Sequence, residues 1–497
     1  MKLFDLFVNI YIKETNINFK DNKNNFEICN ITRKSYDVKV NSAFICLSGT
    51  KTDGHKYIGE AVRNKAALII LEYKPEDFNE VVIKSETPYI IVENTRKTEA
   101  ELWMTWYNNP VKSNNIKIIG ITGTNGKTSV SYMIKRILDD AGYKTALFGT
   151  IKYIIGDIEK ESKLTTSDPD ELSYLLSLAG KAKTDYVIME ISSHSLALDK
   201  IAGLGIIDIG VFTNLTQDHL DFHVNMENYK NAKAKLFKMC KTGIINTDDK
   251  SANDIINLSS SKNYLYGIKS ENNKIDFKAD NIKYFGTDGI EYDVITKNKT
   301  FKISSPMAGG FYVYNTLAAA SVGYLLGIDE KIIIDALKKV KIKGRMEKLD
   351  TDTPYSIFID YAHTPDALEN VLQSFRSFSK GRIITVFGCG GDRDKTKRPV
   401  MGKTASENSD FCIITSDNSR TEEPGDIIDD IIKGITKNNF EIISDRHDAI
   451  KYALEIANPD DIILLAGKGH EDYINEKGFV KYFSETEIVF EILKNKK

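Results

Sequence analysis

"IKIIGITGTNGKTSVSYMIKRILDDAG", Ile116 to Gly142, joins an apolar run, a glycine-rich turn and a segment with apolar residues at helical spacing. The order predicts strand, turn and helix, with Gly142 as the stop. Such a turn directs backbone N–H groups and the positive end of a helix at one point, which makes an anion site. Lys127 is in register to reach the β and γ phosphates of a nucleotide, and the Thr128 hydroxyl is in register to hold Mg²⁺. The glycines fall at 120, 123 and 126, whereas G-x-x-x-x-G-K-[ST] would need one at 121, which is Ile. The offset leaves the chemistry intact, because the site depends on "GTNGKT" at the helix start. Nucleotide binding is the expectation.

Outward from this stretch, apolar runs bounded by turn residues alternate with helix-period segments, which predicts α/β architecture. "DYVIME" and "IIDIGVF" continue a parallel sheet downstream. After "KGRMEKL" a second series begins, with strands predicted at "SIFIDYA", "RIITVFG", "DFCIIT", "FEIIS" and "DIILLAG"; this reads as a separate doubly wound domain. The first hundred or so residues form a smaller α/β unit. Three domains are therefore expected, at 1–112, 113–343 and 344–497.

Composition narrows the function classes. The 497 residues carry a net charge of −3, with no broad basic field to attract a nucleic-acid backbone. Five cysteines, scattered and without C-x-x-C spacing, fit reduced thiols in a cytoplasm. Asp5 interrupts the N-terminal apolar stretch and no small-residue cleavage site follows, which argues against a signal peptide. Ile303 to Ile328 is uncharged, but its apolar core is shorter than a span of ~20 residues requires. It predicts a glycine turn and then a buried helix capped at Asn315. A cytoplasmic protein without membrane insertion or nucleic-acid partner is expected.

Three segments follow the phosphate loop: "MEISSHSLALDK", "TNLTQDHLDFH" and "MENYKNAKAKLF". Glu190 ends a predicted strand, where α/β folds place ligand groups, and His219 follows the next strand. Mg²⁺ prefers oxygen, so the glutamate suits it better than the histidine. Singly, each is more often a surface or core-edge residue. Lys233, read from its surroundings alone, is a solvated helix lysine.

"GTNGKT", "EISSHSL", "TNLTQDHLDFH", "VYNTLAAA", "KGRMEKL", "DYAHTPDALE", "GCGGDRDKTKRPVM" and "AGKGHEDY" occur in the order seen in Mur ligases. From about residue 30 to the C-terminus the chain resembles that family, in particular the members that add the third residue of the peptidoglycan stem. The resemblance implies a small N-terminal α/β uridine-binding domain, a central P-loop ATPase-like domain and a C-terminal doubly wound Rossmann-like domain. It implies ATP contacts at Gly123, Thr124, Asn125, Gly126, Lys127, Thr128, Asn315, Arg345, Asp360 and His363. Catalytic roles fall to Lys127, Glu190, His219 and Lys233, with Mg²⁺ held by Thr128, Glu190, His219 and Lys233, the last as a CO₂-derived carbamate. Carbamylation turns a cation into an anion able to hold a second Mg²⁺.

The same resemblance implies that UDP-N-acetylmuramoyl-L-Ala-D-Glu contacts Thr32, Thr165, Thr166, Ser192 and Lys200. Thr32 lies in "NITRKSYDVKVNSAFICLSG" where the family has Ser, and Lys200 stands where Arg is usual, which keeps charge but loses the bidentate fork. Leu198 replaces a Gln of some members, and Tyr312 replaces a common Asn. The incoming amino acid is implied to meet Arg393, Asp417, Asn418, Ser419, Arg420, Gly467 and Glu471. In "SDNSRTEEP", Arg420 suits the distal carboxylate of meso-diaminopimelate or of a similar diamino-diacid such as lanthionine, and would repel the ammonium of lysine. Ser419 departs from the D-N-P-R of diaminopimelate-adding members. A surface salt bridge of Arg420 with Glu422 or Glu423 is the structural alternative.

The implied reaction is ATP-dependent amide formation through an acyl phosphate, by a monomer. Addition of L-lysine, a sister ligase, folylpolyglutamate synthetase and a non-ligase ATPase are the alternatives. "EISSH" argues against the sister ligase, and the uridine-like segment near residues 30–60 argues against the synthetase.

Overall fold

The computed structural model describes residues 1–49, 52–269 and 275–495. Short strands of the first hundred residues pair in the order Glu14–Thr15, Tyr89–Ile91, Leu68–Leu71, Ser42–Ile45, Asn30–Thr32, all parallel except the first. Their side chains alternate between two apolar layers. Ile45, Leu68 and Ile70 pack with Leu3, Phe7 and Leu102, while Phe44 and Ile69 pack with Ile58, Ala61 and Phe78.

The phosphate-loop strand, Lys117–Thr122, lies inside an eleven-stranded sheet between Tyr186–Glu190 and Ile207–Phe212, parallel to both. Thr145–Phe148 lies beyond Tyr186–Glu190, so the chain leaves Lys117–Thr122 to one side and later crosses to the other. Such a reversal opens a crevice at the C-terminal strand ends, where α/β sheets bind ligands. The helix Lys127–Asp140 buries Val130, Met133, Ile134, Ile137 and Leu138. That spacing makes one apolar stripe, each residue stabilising by about 1.5–3 kcal/mol on burial. Gly142, at φ 87°, follows as the sequence predicts.

One expectation is corrected. The helix in the uncharged segment runs Gly310–Leu325 with Gly309 as its N-cap, so Asn315 lies within the helix and caps nothing. Gly309 has φ 111°, which turns the chain into the helix without a side-chain cap. Freed from capping, Asn315 is buried against the phosphate loop. Among the described residues no helix is long and apolar enough to cross a membrane.

The third sheet has the order Glu347–Lys348, Ser356–Asp360, Ile462–Ala466, Ile383–Phe387, Phe411–Ile414, Phe440–Ile442. Its five longer strands are the five predicted, all parallel. Antiparallel pairings that were not predicted include Lys152–Ile155 with Ile158–Glu161, Phe277–Tyr284 with Ile290–Thr296, Ile290–Thr296 with Thr300–Ser305, and Tyr473–Glu476 with Phe479–Tyr482. All five cysteines are free thiols.

Candidate active site

Backbone geometry shapes the loop first. Gly126, at φ 87°, is the N-cap of Lys127–Asp140, and a Cβ there would meet Asn315 Oδ1 at 2.6 Å. A Cβ on Gly123 would meet Thr213 Oγ1 at 1.8 Å. The Thr124 N–H donates to the Asn214 carbonyl and the Asn125 N–H to Asn214 Oδ1, each at 2.9 Å. The Asn125 carbonyl accepts from Thr213 Oγ1 (2.7 Å) and Asn214 Nδ2 (3.1 Å). Lys127 Nζ donates to the Gly123 and Thr124 carbonyls, both at 2.9 Å. Burial pushes its pKa down, against the pull of Glu190 and Asp218.

Beside the loop, Thr128 Oγ1 donates to Glu190 Oε2 at 2.9 Å, and Thr128 Oγ1 accepts from Arg345 Nη2 at 3.2 Å. Glu190 is fully buried and also accepts from the Thr150 N–H (3.1 Å) and Thr150 Oγ1 (2.8 Å). A hydroxyl and a carboxylate beside a phosphate loop form the hard-oxygen donor set that Mg²⁺ selects, so these residues fit the ion.

His219 is in the left-handed region, φ 54°, with Nε2 3.3 Å from Asp218 Oδ2. Burial lowers its pKa and outweighs Asp218, so the ring is neutral at pH 7. His194 and His223 stand close by, at ring-centroid distances from each other of 5.5 Å, and burial lowers both. Lys233 is not the solvated residue its sequence surroundings suggest. It is 1 % exposed, with Nζ 4.5 Å from the centroid of the Tyr229 ring. Tyr229 OH in turn is 3.1 Å from Thr124 Oγ1. Burial first, and Lys127 second, hold the Lys233 pKa well below the usual lysine range. Among the described residues no carboxylate pairs with it; an amine whose pKa is held down by burial gives up its proton more readily, which is what reaction with CO₂ requires, so the environment fits a carbamate.

Thr166 Oγ1 donates to the Glu190 carbonyl (2.9 Å) and accepts from the Ser192 N–H (2.9 Å), while Thr150 Oγ1, whose proton goes to Glu190, accepts from Thr165 Oγ1 (3.1 Å). Lys200 pairs with Asp168 at 2.6 Å. Thr32 stands apart on the N-terminal sheet, its Oγ1 accepting from the Lys34 N–H at 3.1 Å.

From the third sheet, the Arg345 guanidinium lies 4.5 Å from the Tyr361 ring centroid. Tyr312, buried, donates to the Arg345 carbonyl at 3.1 Å and thereby supports it. Asp360 accepts from the Met346 (2.7 Å) and Ala362 (2.8 Å) N–H groups, and burial raises its pKa. His363 Nδ1 lies 2.9 Å from the Tyr361 carbonyl, and burial pushes its pKa down to about 4.

Beyond them, Lys468, without solvent exposure, lies 3.7 Å from Asp417 and 3.6 Å from Glu471. Burial would raise both carboxyls. Lys468 and Arg446 outweigh it at Asp417, whose pKa is lowered, but at Glu471 burial prevails. Asn418 Nδ2 donates to Glu471 Oε2 at 2.7 Å. A Cβ on Gly467 would meet Asp417 Oδ2 at 2.8 Å. Arg420, at φ 53°, donates from Nη1 to the carbonyls of Gly391 (2.7 Å) and Asn418 (3.3 Å). The alternative salt bridge is not formed: Glu422 pairs with Arg398 and Lys395, and Glu423 with Lys477. Arg393 is exposed, with Nη1 3.2 Å from the Asp392 carbonyl.

A single cleft of about 1860 Å³ is lined by nearly all of these groups, from Thr124 through Glu190, Lys200 and Arg345 to Arg420 and Glu471. Four expected residues do not line it: Thr32, Gly123, Lys233 and Ser419. Ser419 is buried, with no hydrogen-bond partner for its hydroxyl. Sequence reading missed Asn214, Asp366 and Lys468. All three lie inside quoted motifs, but as polar residues beside more obvious ones.

Sequence models of the Mur ligase family match in succession: the family's catalytic domain at residues 27–107, its middle domain at 121–323 and its glutamate ligase domain at 344–469. The UDP-N-acetylmuramoyl-L-alanyl-D-glutamate--2,6-diaminopimelate ligase of Clostridium botulinum is 43% identical over 98% of this chain and 99% of its own. That of Syntrophomonas wolfei is 41% identical over 100% of both. A solved structure of a ligase of that name is 29% identical, with TM-score 0.66 over 94% of this chain and 95% of its own. The MurF ligase of Thermotoga maritima in complex with ADP, 19% identical, shares the fold at TM-score 0.58 over 94% and 97%. The three sheets, the loop between them and this likeness along the whole length give one conclusion: the chain belongs to the Mur ligase family.

Proposed function

We propose that this protein joins meso-diaminopimelate, or a similar diamino-diacid, to UDP-N-acetylmuramoyl-L-Ala-D-Glu at the expense of ATP. The observation that carries the reading is the convergence of phosphate loop, acidic pocket and Arg420 on one cleft. Residues 1–112 are assigned to the uridine end of the substrate, 113–343 to ATP and the muramoyl dipeptide, and 344–497 to the incoming amino acid. A cytoplasmic monomer is part of the proposal.

A carboxylate oxygen of the dipeptide attacks the γ-phosphorus, the bond to the β-phosphate oxygen breaks, and ADP leaves. Lys127 neutralises charge on the transferring group, and the loop N–H groups hold the phosphates. Thr128 and Glu190 would hold Mg²⁺, and Lys233, as a carbamate, and His219 would hold a second ion. When bound, the metal supplies Lewis-acid neutralisation of phosphoryl oxygens. The neutral amine of the incoming amino acid then attacks the acyl carbon, the C–O bond to phosphate breaks, and a proton leaves the nitrogen. Asp417 and Glu471 orient the amino group, and Arg420 binds the distal carboxylate through two parallel hydrogen bonds. Arg345, Asp360 and His363 bring the third sheet onto the nucleotide and exclude water from the acyl phosphate.

Phosphate release with ATP, Mg²⁺ and the muramoyl dipeptide nucleotide tests this, with meso-diaminopimelate, lanthionine or L-lysine supplied in parallel and the product weighed. Release requiring a diamino-diacid is expected. Preference for lysine would remove Arg420 from its role, and release without a new amide would remove the ligase.

A further inference from the structure

Asp168 begins the helix Pro169–Lys181, at the position where an aspartate ordinarily accepts from the first backbone N–H groups. Its side chain makes no such bond. One oxygen, Oδ1, accepts from Lys200 Nζ at 2.6 Å, and the other, Oδ2, accepts from Arg33 Nη2 at 2.6 Å. Arg33 follows the last strand of the N-terminal sheet, and its other terminal nitrogen lies 3.5 Å from Glu99 of the same unit. Asp168 therefore gives up a local cap to join cations from two units.

Lys200 is where the need arises. An ammonium on a four-carbon stem is a point charge without the fixed fork of a guanidinium, so its direction must come from a neighbour. Asp168 is that neighbour, and Arg33 fixes Asp168 in turn. We infer that Asp168 is a positioning residue that couples Arg33 of the N-terminal unit to Lys200, so that the unit assigned to uridine sets the aim of the lysine assigned to the dipeptide. The inference rests on the function proposed above. Neither Arg33 nor Asp168 lines the cleft, which suits a role exerted through Lys200.

Steady-state kinetics of the full chain tests it, with Asp168→Asn, Arg33→Gln, the double variant and Asp168→Glu. Loss of a charge-assisted contact on Lys200 is expected to raise KM for the muramoyl dipeptide nucleotide about tenfold or more. Under this inference kcat and the KM values for ATP and amino acid stay within about threefold. The double variant is expected to be no worse than Asp168→Asn, because both act through one chain of contacts. Asp168→Glu should recover most of the loss. If Asp168→Asn does not fold, Arg33→Gln carries the same expectation. A KM within twofold of wild type, or all three KM values rising together, overturns the inference. A wild type that forms no tripeptide overturns the proposed reaction and this inference with it. Variants indistinguishable from an active wild type overturn the inference alone.

Discussion

The Asp366 carboxylate accepts a hydrogen bond from the Asn125 side-chain amide across 2.8 Å, joining the third sheet's unit to the phosphate loop. The same oxygen accepts from Thr216 Oγ1 at 3.4 Å. Asp366 lies in the first turn of Pro365–Arg376, so the direction of that helix is transmitted to a loop more than two hundred residues earlier. Asp366→Ala leaves the Asn125 amide without its acceptor. KM for ATP should rise about tenfold, with a smaller rise for Asp366→Asn, measured by initial rates at saturating amino acid.

Glu190 accepts three hydrogen bonds, from Thr128 and twice from Thr150, while wholly out of solvent. Glu190→Gln keeps the shape but removes the charge that suits Mg²⁺. Activity should fall at least a hundredfold and the apparent Mg²⁺ requirement should rise, with thermal unfolding close to wild type. Glu190→Ala strands buried donors instead and should cost about 2–3 kcal/mol of stability. Calorimetry on the two variants separates the effects.

Burial raises the Glu99 pKa to about 7, against the pull of Arg33. In the unfolded chain a glutamate titrates near 4.3. The folded state therefore holds a proton that the unfolded state has lost between about pH 4.5 and 7, so this group's contribution to stability declines as pH rises through that window. Glu99→Gln should flatten that decline. The gain in melting temperature over wild type should be larger at pH 8 than at pH 5, read by scanning calorimetry.

Lys233 as a free amine should be convertible. Incubation with ¹³C-bicarbonate should produce a carbamate resonance that Lys233→Arg lacks, and activity lost on CO₂ depletion should return with bicarbonate. Absence of the resonance in an active preparation would remove Lys233 from the metal set.

Arg420→Lys keeps the charge but loses the fork. KM for meso-diaminopimelate should rise about ten- to a hundredfold, while KM for ATP stays unchanged. Equal losses for both substrates would indicate a collapsed turn.

The fold was legible where periodicity and length agreed. Lys117–Thr122, Lys127–Asp140 and the five parallel strands of the third sheet stand where apolar runs and glycine stops put them. The segment around Asn315 misled because an asparagine before an alanine-rich run looks like a cap, whereas the capping was done by Gly309 and backbone dihedrals alone. The hairpins escaped because their outer strands, such as Ile158–Glu161 and Phe479–Tyr482, are exposed and lack an apolar alternation. Within the site, Lys127, Thr128 and Glu190 could be read from the residues themselves. The burial of Lys233 could not, because it shows only once the fold brings Lys127, Asp218 and Asp249 near its helix. Asp366 and Asp168 were hidden for a similar reason: each sits at a helix start, where an acidic residue looks like local structure and its true partners lie on other units.

Position 126 admits little but glycine. Two separate obstacles guard it: a backbone angle of 87° that side chains disfavour, and Asn315 Oδ1 in the space a Cβ would take. Shortening residue 315 removes only one of them, and relaxing the turn removes only the other. A lineage leaving glycine here would have to change the loop, the buried helix and the residue itself together, with each single step harmful. This corner of the protein is therefore held still by geometry.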